Sequence, residues 1–165
     1  MVSVGDKIRI ITKSDNHHYD GKIGIVVYVD SDGLIYGTWG DCTLIPGVDR
    51  FETLIIEESK WHFRDNKKRK IGGTNKGAHP SLVIGETDNG QNLINIGLTK
   101  NPKRGHHKNT KIHNPQNWNH VSYLRDDIRI DSKEHLSKIL EEYNLCPDDI
   151  DEIWKIIKKR IPTRR

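Results

Sequence analysis

Cysteine is nearly absent from this 165-residue chain, which holds only Cys42 and Cys146. They stand far apart and match neither zinc nor redox-pair spacing, so two reduced, packed thiols are expected rather than a disulfide framework. No apolar run approaches the length of a membrane span, and the opening "MVSVGDKIRI" has no signal-peptide stretch. The chain therefore reads as a cytoplasmic protein without membrane contact. No glycine-rich segment keeps P-loop spacing, which argues against nucleoside triphosphate binding. Apolar residues make up 33% of the chain, enough for one compact domain or two very small ones.

The most telling absence is local. From Leu98 to His113, "LTKNPKRGHHKNTKIH" carries four lysines, one arginine and three histidines without a single carboxylate. It belongs to a wider asymmetry. Residues 1–59 hold five basic and ten acidic side chains, a balance of −5, whereas residues 60–125 hold thirteen against three, a balance of +10. From residue 126 onward nine basic residues face ten acidic ones, a balance of −1. A basic block inside an otherwise acidic chain is the electrostatic footprint of a polyanion-binding face.

Short strands and tight turns dominate the pattern. "DKIRIITK" places Ile8 and Ile10 in alternation, as a half-buried strand does. "GKIGIVVYVDSDGLIYGTWG" sets two β-rich runs around Asp32-Gly33, a hairpin signal, and "TLIPGVDRFETL" adds a Pro46-Gly47 turn and a further strand. With no helical period over the first 58 residues, a small, strongly bent barrel is predicted there. Asp49 and Arg50 read as a turn-stabilising pair. Residues 59–78 follow as a basic, glycine-containing linker. The remainder, 79–165, repeats the β pattern: "HPSLVIGETDNGQNLINIGLT" is a hairpin about Asp88-Asn89-Gly90, and "NTKIHNP" and "VSYLRDDIRID" supply further strands. Asp131 with Glu134 has capping-box spacing ahead of Leu136, Ile139, Leu140 and Tyr143, which predicts one helix. A second opens near Pro147, with acids in its first turn, Lys158 to Arg160 in its last, and a stripe of Ile150, Ile153, Trp154 and Ile157.

Residues 1–58, through "GDKIRI…GKIGIVVYVDSDGLIYGTW…LIPGVDRFETL", resemble a small SH3-like domain of unknown function typical of bacterial mobile elements. The order "GTNKGAHPSLVIGE", "INIGLTKNPKRG", "SYLRDDIRIDSKEHLSKI" resembles PemK-like (MazF-type) toxin domains. Together these imply a mainly β protein with C-terminal α-helices: two small SH3-like β-barrels in tandem, the second followed by two helices. The second resemblance implies a toxin–antitoxin hydrolase that cuts single-stranded RNA without metal. An antitoxin protein and a homodimer are the partners it implies. The family's usual catalytic arginine, directly before the proline of its second strand, is replaced by His79, whereas Thr99 matches the family's threonine.

Metal-free RNA cleavage needs a base for the ribose 2′-hydroxyl, an acid for the leaving 5′-oxygen and cationic donors for the developing charge. Histidine suits both proton roles, because its ordinary pKa of about 6.5 lies near working pH. His79 with His106 or His107 is the expected pair, Arg104 the bidentate phosphorane ligand and Thr99 a hydrogen-bond donor. Lys67, Lys68, Arg69, Lys70, Lys76, Lys100, Lys103, Lys108 and Lys111 are the expected backbone contacts. The products would carry a 2′,3′-cyclic phosphate and a 5′-hydroxyl. No metal and no cofactor are expected: no carboxylate or cysteine accompanies His106, His107 and His113 along the chain, and the lysines around them repel a divalent cation. Trp61, Phe63, Trp118 and Tyr123 are either base-stacking platforms or core. Two further readings stay open, a noncatalytic nucleic-acid- or protein-binding module of a phage or mobile element, and a two-barrel scaffold.

Overall fold

The computed structural model describes residues 2–68 and 79–161. Over these the protein is mainly β, with one C-terminal α-helix and antiparallel pairing throughout. The chain divides into two compact units, Met1–Ile55 with Thr87–Asn89 and Lys158–Arg165, and Ile56–Glu86 with Gly90–Ile157. Among the described residues no helix is long and apolar enough to cross a membrane.

The first unit is an open sheet of β1 (Lys7–Thr12), β2 (Ile23–Val29), β3 (Ile35–Gly37) and β4 (Arg50–Ile56), in the order β3-β2-β1-β4. The alternation read from the sequence works as expected: Ile8 and Ile10 are fully buried and join Val26, Ile35, Trp39 and Leu44 in one core. Burying each such side chain is worth about 1.5–3 kcal/mol. Gly33 takes a φ of 84° in the β2–β3 turn, which a side chain would oppose. Gly37 serves packing instead, since a Cβ there would lie 2.1 Å from the Trp39 ring.

Asp49 pairs differently from expectation. Its carboxylate is buried and accepts from Lys13 Nζ (3.0 Å), Ser14 N (2.9 Å), Ser14 Oγ (3.1 Å) and Ile45 N (2.8 Å). The counter-ion is Lys13, 36 residues away and only 2% exposed, rather than neighbouring Arg50, which stays in solvent.

In the second unit β5 (His62–Asn66), β6 (His79–Thr87) and β7 (Asn92–Thr99) precede a two-stranded ribbon of β8 (Lys103–Arg104) and β9 (His107–Lys108). Then come β10 (Thr110–Asn114), β11 (Asn117–Leu124), β12 (Arg129–Ser132) and β13 (Leu136–Ile139). The sheet runs β10-β11-β7-β6-β5-β13, and β12 shares an edge of β7 with β11. Strand β11 pairs with the end of β7 (Leu124 with Leu98) and β12 with its beginning (Ser132 with Asn92). Part of the expected linker is therefore strand, because β5 bridges β6 and β13.

The helix expected over 131–143 does not form. Those residues make the end of β12, a 3-10 turn (Lys133–His135), β13 and a turn in which the Tyr143 amide donates to the Leu140 carbonyl (3.1 Å). Asp131 cannot cap because its carboxylate is buried and engaged: Oδ2 accepts from Asn66 Nδ2 (2.9 Å) and Asn95 Nδ2 (3.1 Å), and Oδ1 from Arg129 (3.2 Å). Strand pairing to β7 and β5 overrides the local signal, as tertiary context commonly does. The later helix is present: a 3-10 turn at Pro147–Asp149 leads into α1 (Ile150–Arg160), which buries Ile153, Ile156 and Ile157. Trp154 packs on Trp61, ring centroids 5.4 Å apart, and its Nε1 donates to Glu58 (2.6 Å).

Candidate functional site

A cleft of about 450 Å³ opens in the second unit where β6 begins, β7 ends and β11 gives way to β12. His79 and Pro80 form one wall, and Leu98 to Asn101 a second. Asn114, Gln116, Ser122, Arg125 and Tyr143 complete the lining. Sheet register accounts for this grouping. Pro80 sits near the start of β6, where a missing N–H is tolerated, and β6 and β11 flank β7 on opposite sides. The Arg125 amide donates to the Gly97 carbonyl (2.8 Å), which pins that arginine beside β7 between β11 and β12.

The ring of His79 is oriented by its Nδ1–H, which donates to the Leu98 carbonyl (3.1 Å). In the neutral imidazole this tautomer puts the basic lone pair on Nε2. Thr99 is buried and its Oγ1 accepts from the Asn101 amide (3.2 Å), leaving the hydroxyl proton to be donated elsewhere. Ser122 is likewise buried. Tyr143 is held by a tilted ring contact with Phe63, centroids 5.7 Å apart. Burial pushes the Tyr143 hydroxyl above its ordinary pKa, and the charges of Asp65 and Glu142 add to this. Asp65, opposite Pro80 in the β5–β6 pair, is also pushed up, by burial and by Glu142, against an opposing pull from His79. A histidine, a threonine, a serine, a tyrosine, an arginine and a lysine thus line one space, residue types that carry protons and hold anions.

Of the residues expected to act, His79, Thr99 and Lys100 line this cleft together. Arg104, His106 and His107 do not line it; they lie in the exposed β8–β9 ribbon, where Arg104 pairs with His107 and Lys103 with Lys108 about a turn with Gly105 at φ 60°. Like charges directly opposite one another disfavour such a pair. The ribbon is tied back by Asn109, whose amide donates to Pro102 O (2.9 Å) and whose Nδ2 donates to Asn101 O (3.0 Å), so it springs from a residue of the cleft. Lys67, Lys68 and Lys111 are exposed outside the cleft, while Arg69, Lys70 and Lys76 lie outside the described residues.

Sequence reading missed Ser122, Arg125 and Tyr143. Arg125 stands beside Asp126 and Asp127 and looks neutralised, and Tyr143 looks like part of a helix face. The pairing of β11 with the end of β7 brings in Ser122 and Arg125, and the pairing of β13 with β5 brings Tyr143 against Phe63. Among the proposed stacking rings Phe63 is core at 1% exposure, whereas Trp118 is 46% exposed beside a second, shallower depression that shares Gln116 with the cleft.

Compared with known proteins, the chain matches no family model, no curated protein and no solved structure.

Proposed function

We propose that the second unit is a metal-independent endoribonuclease of the PemK-like type, acting on single-stranded RNA, and that each unit is a small SH3-like barrel. The observation that carries the reading is the convergence of His79, Thr99, Ser122, Arg125 and Tyr143 on one cleft of nucleotide size. His79 Nε2 takes the proton from the ribose 2′-hydroxyl, O2′ bonds to phosphorus, and the P–O5′ bond breaks as Tyr143 gives its proton to the departing 5′-oxygen. A tyrosine with a raised pKa stays protonated at neutral pH and is available for that transfer. Arg125 takes the phosphorane role expected of Arg104, with two parallel donors for two oxygens. Thr99 and Ser122 donate hydroxyl bonds, Lys100 adds charge, and the exposed β8–β9 ribbon tracks the neighbouring phosphates.

The test is end-labelled single-stranded RNA in EDTA without added magnesium. Cleavage to fragments ending in 2′,3′-cyclic phosphate, abolished in His79→Ala and Arg125→Ala, is expected. RNA that is retarded yet uncut supports instead a noncatalytic binding module, a reading that rests on the exposed lysines and arginine of the ribbon.

A further inference from the structure

Although no metal-ligand spacing exists along the chain, the fold assembles one in space. Strand β10 and the turn leading into α1 bring a ring nitrogen of His113, the Cys146 thiol and a carboxylate oxygen of Asp148 within 4.8 Å of one another. None of the three lines the cleft. Cys146 is buried, His113 half-buried and Asp148 exposed, so the group has a closed back and an accessible front. Behind it stands Asp149, buried, whose carboxylate accepts both the His113 backbone amide (2.9 Å) and the ring Nδ1–H (2.9 Å). That contact sets the tautomer with its lone pair on Nε2. A carboxylate holding the far nitrogen of a ligating histidine is the usual support of a zinc ligand.

We infer that His113 Nε2, Cys146 Sγ and Asp148 form a zinc-binding site, with Asp149 orienting the histidine and water as the fourth ligand. Thiolate, imidazole and carboxylate are the donors zinc prefers. Zinc bonds of about 2.0–2.3 Å place ligand atoms roughly 3.3–3.8 Å apart, which the exposed Asp148 side chain can reach by rotation. On binding, Cys146 gives up its thiol proton to solvent as the Zn–S bond forms. The metal would clamp β10 to the start of α1, a structural role separate from the chemistry of the cleft. It departs from the sequence-based expectation of no metal, which looked only at neighbours along the chain, whereas the partners of His113 come from 33 to 36 residues further on.

The full-length chain, purified without a histidine tag and stripped, is titrated with zinc against a chromophoric chelator, and cobalt(II) is used as a spectroscopic stand-in. One zinc per chain, a cobalt–thiolate charge-transfer band and a rise in Tm with zinc are expected. Cys146→Ser removes the band, and Asp149→Asn weakens binding roughly 10–100-fold. Because Cys146 and Asp149 are buried and their variants can fail to fold, Asp148→Asn provides the surface control and should lower affinity at least tenfold with the metal-free Tm unchanged. Zinc uptake unaffected by Asp148→Asn, uptake lost instead in His106→Ala/His107→Ala, or no one-to-one binding at all would each overturn the site.

Discussion

In the first unit Lys13 and Asp49 leave water together, and the carboxylate collects three further donors from Ser14 and Ile45. In the second, Thr99 and Ser122 are buried at the wall of a cavity that also takes an arginine, a lysine, a histidine and a tyrosine. The first arrangement consumes its hydrogen-bonding capacity internally; the second directs capacity into a space a ligand can fill. Charge does not follow that division: the acidic balance of residues 1–59 and the basic one of 60–125 are stretches of the chain, and the first unit also takes in the basic run from Lys158. The two units differ in where their buried polar groups are directed, and that difference can be attacked from either side.

The strongest blow falls on the cleft. His79→Ala is expected to lower RNA cleavage by roughly 10²–10⁴-fold, and the Tm measured alongside separates lost chemistry from lost folding, since the ring is half-buried. Single-turnover rates on labelled RNA measure this. An unchanged rate would remove the second unit's claim to the chemistry.

The first unit breaks at Asp49. Asp49→Ala strands a lysine only 2% exposed, left with the solvent-facing Asp15 (2.6 Å) as its partner. Breaking a buried pair costs about 3–5 kcal/mol, and accelerated hydrogen exchange confined to β1 and β4 would register it. The pair also fixes a pH response. Burial opposes charge on Asp49, but hydrogen bonds from Ser14, Ile45 and Lys13 outweigh it and hold the carboxyl below its ordinary range. A folded pKa below the unfolded one means that the stabilisation is complete above the unfolded value of about 3.9. It is lost as pH falls through the folded value.

Removing three ribbon charges, Lys103→Ala/Arg104→Ala/Lys108→Ala, should weaken RNA affinity about tenfold and reduce the salt slope by roughly two, at ~0.7 per phosphate contact on a single strand. Chain stability should hold or rise, since opposed cations are deleted. Salt-dependent anisotropy separates this from a catalytic effect, which would leave the slope alone.

How far the residues alone reveal this arrangement depends on the range of each interaction. Hairpins about Asp32-Gly33 and Asp88-Asn89-Gly90 are local events written in turn chemistry, and both form. Helix α1 is equally local, with its proline start and basic end. The failed helix at 131–143 shows the limit: a capping box is visible in four residues, whereas the Asn66–Asn95–Asp131 network that replaces it joins three strands separated by 29 to 65 positions. The site divides the same way. His79 and Thr99 are legible because each sits at a strand end beside a recognisable motif, while Arg125 and Tyr143 become neighbours of His79 only through sheet order.

The smallest expected effect is the most discriminating. Asp65 is half-buried, and its carboxyl is held above the ordinary range by burial and by Glu142, more than the nearby His79 can offset. A folded pKa above the unfolded one makes the ionised form a burden: stability falls as pH rises from the unfolded value through the folded value, and the loss is complete above it. Asp65→Asn should therefore stabilise the protein at pH 7, by less than about 1 kcal/mol after solvent screening, and the gain should vanish at a pH below the unfolded carboxylate value. Urea midpoints at the two pH values read it directly. It should also let the Tyr143 hydroxyl titrate lower, since one of the two charges that raise it is gone. If the substitution instead destabilises at pH 7, Asp65 is bound chiefly to His79. The second unit would then be consuming its charges internally, as the first does with Lys13 and Asp49.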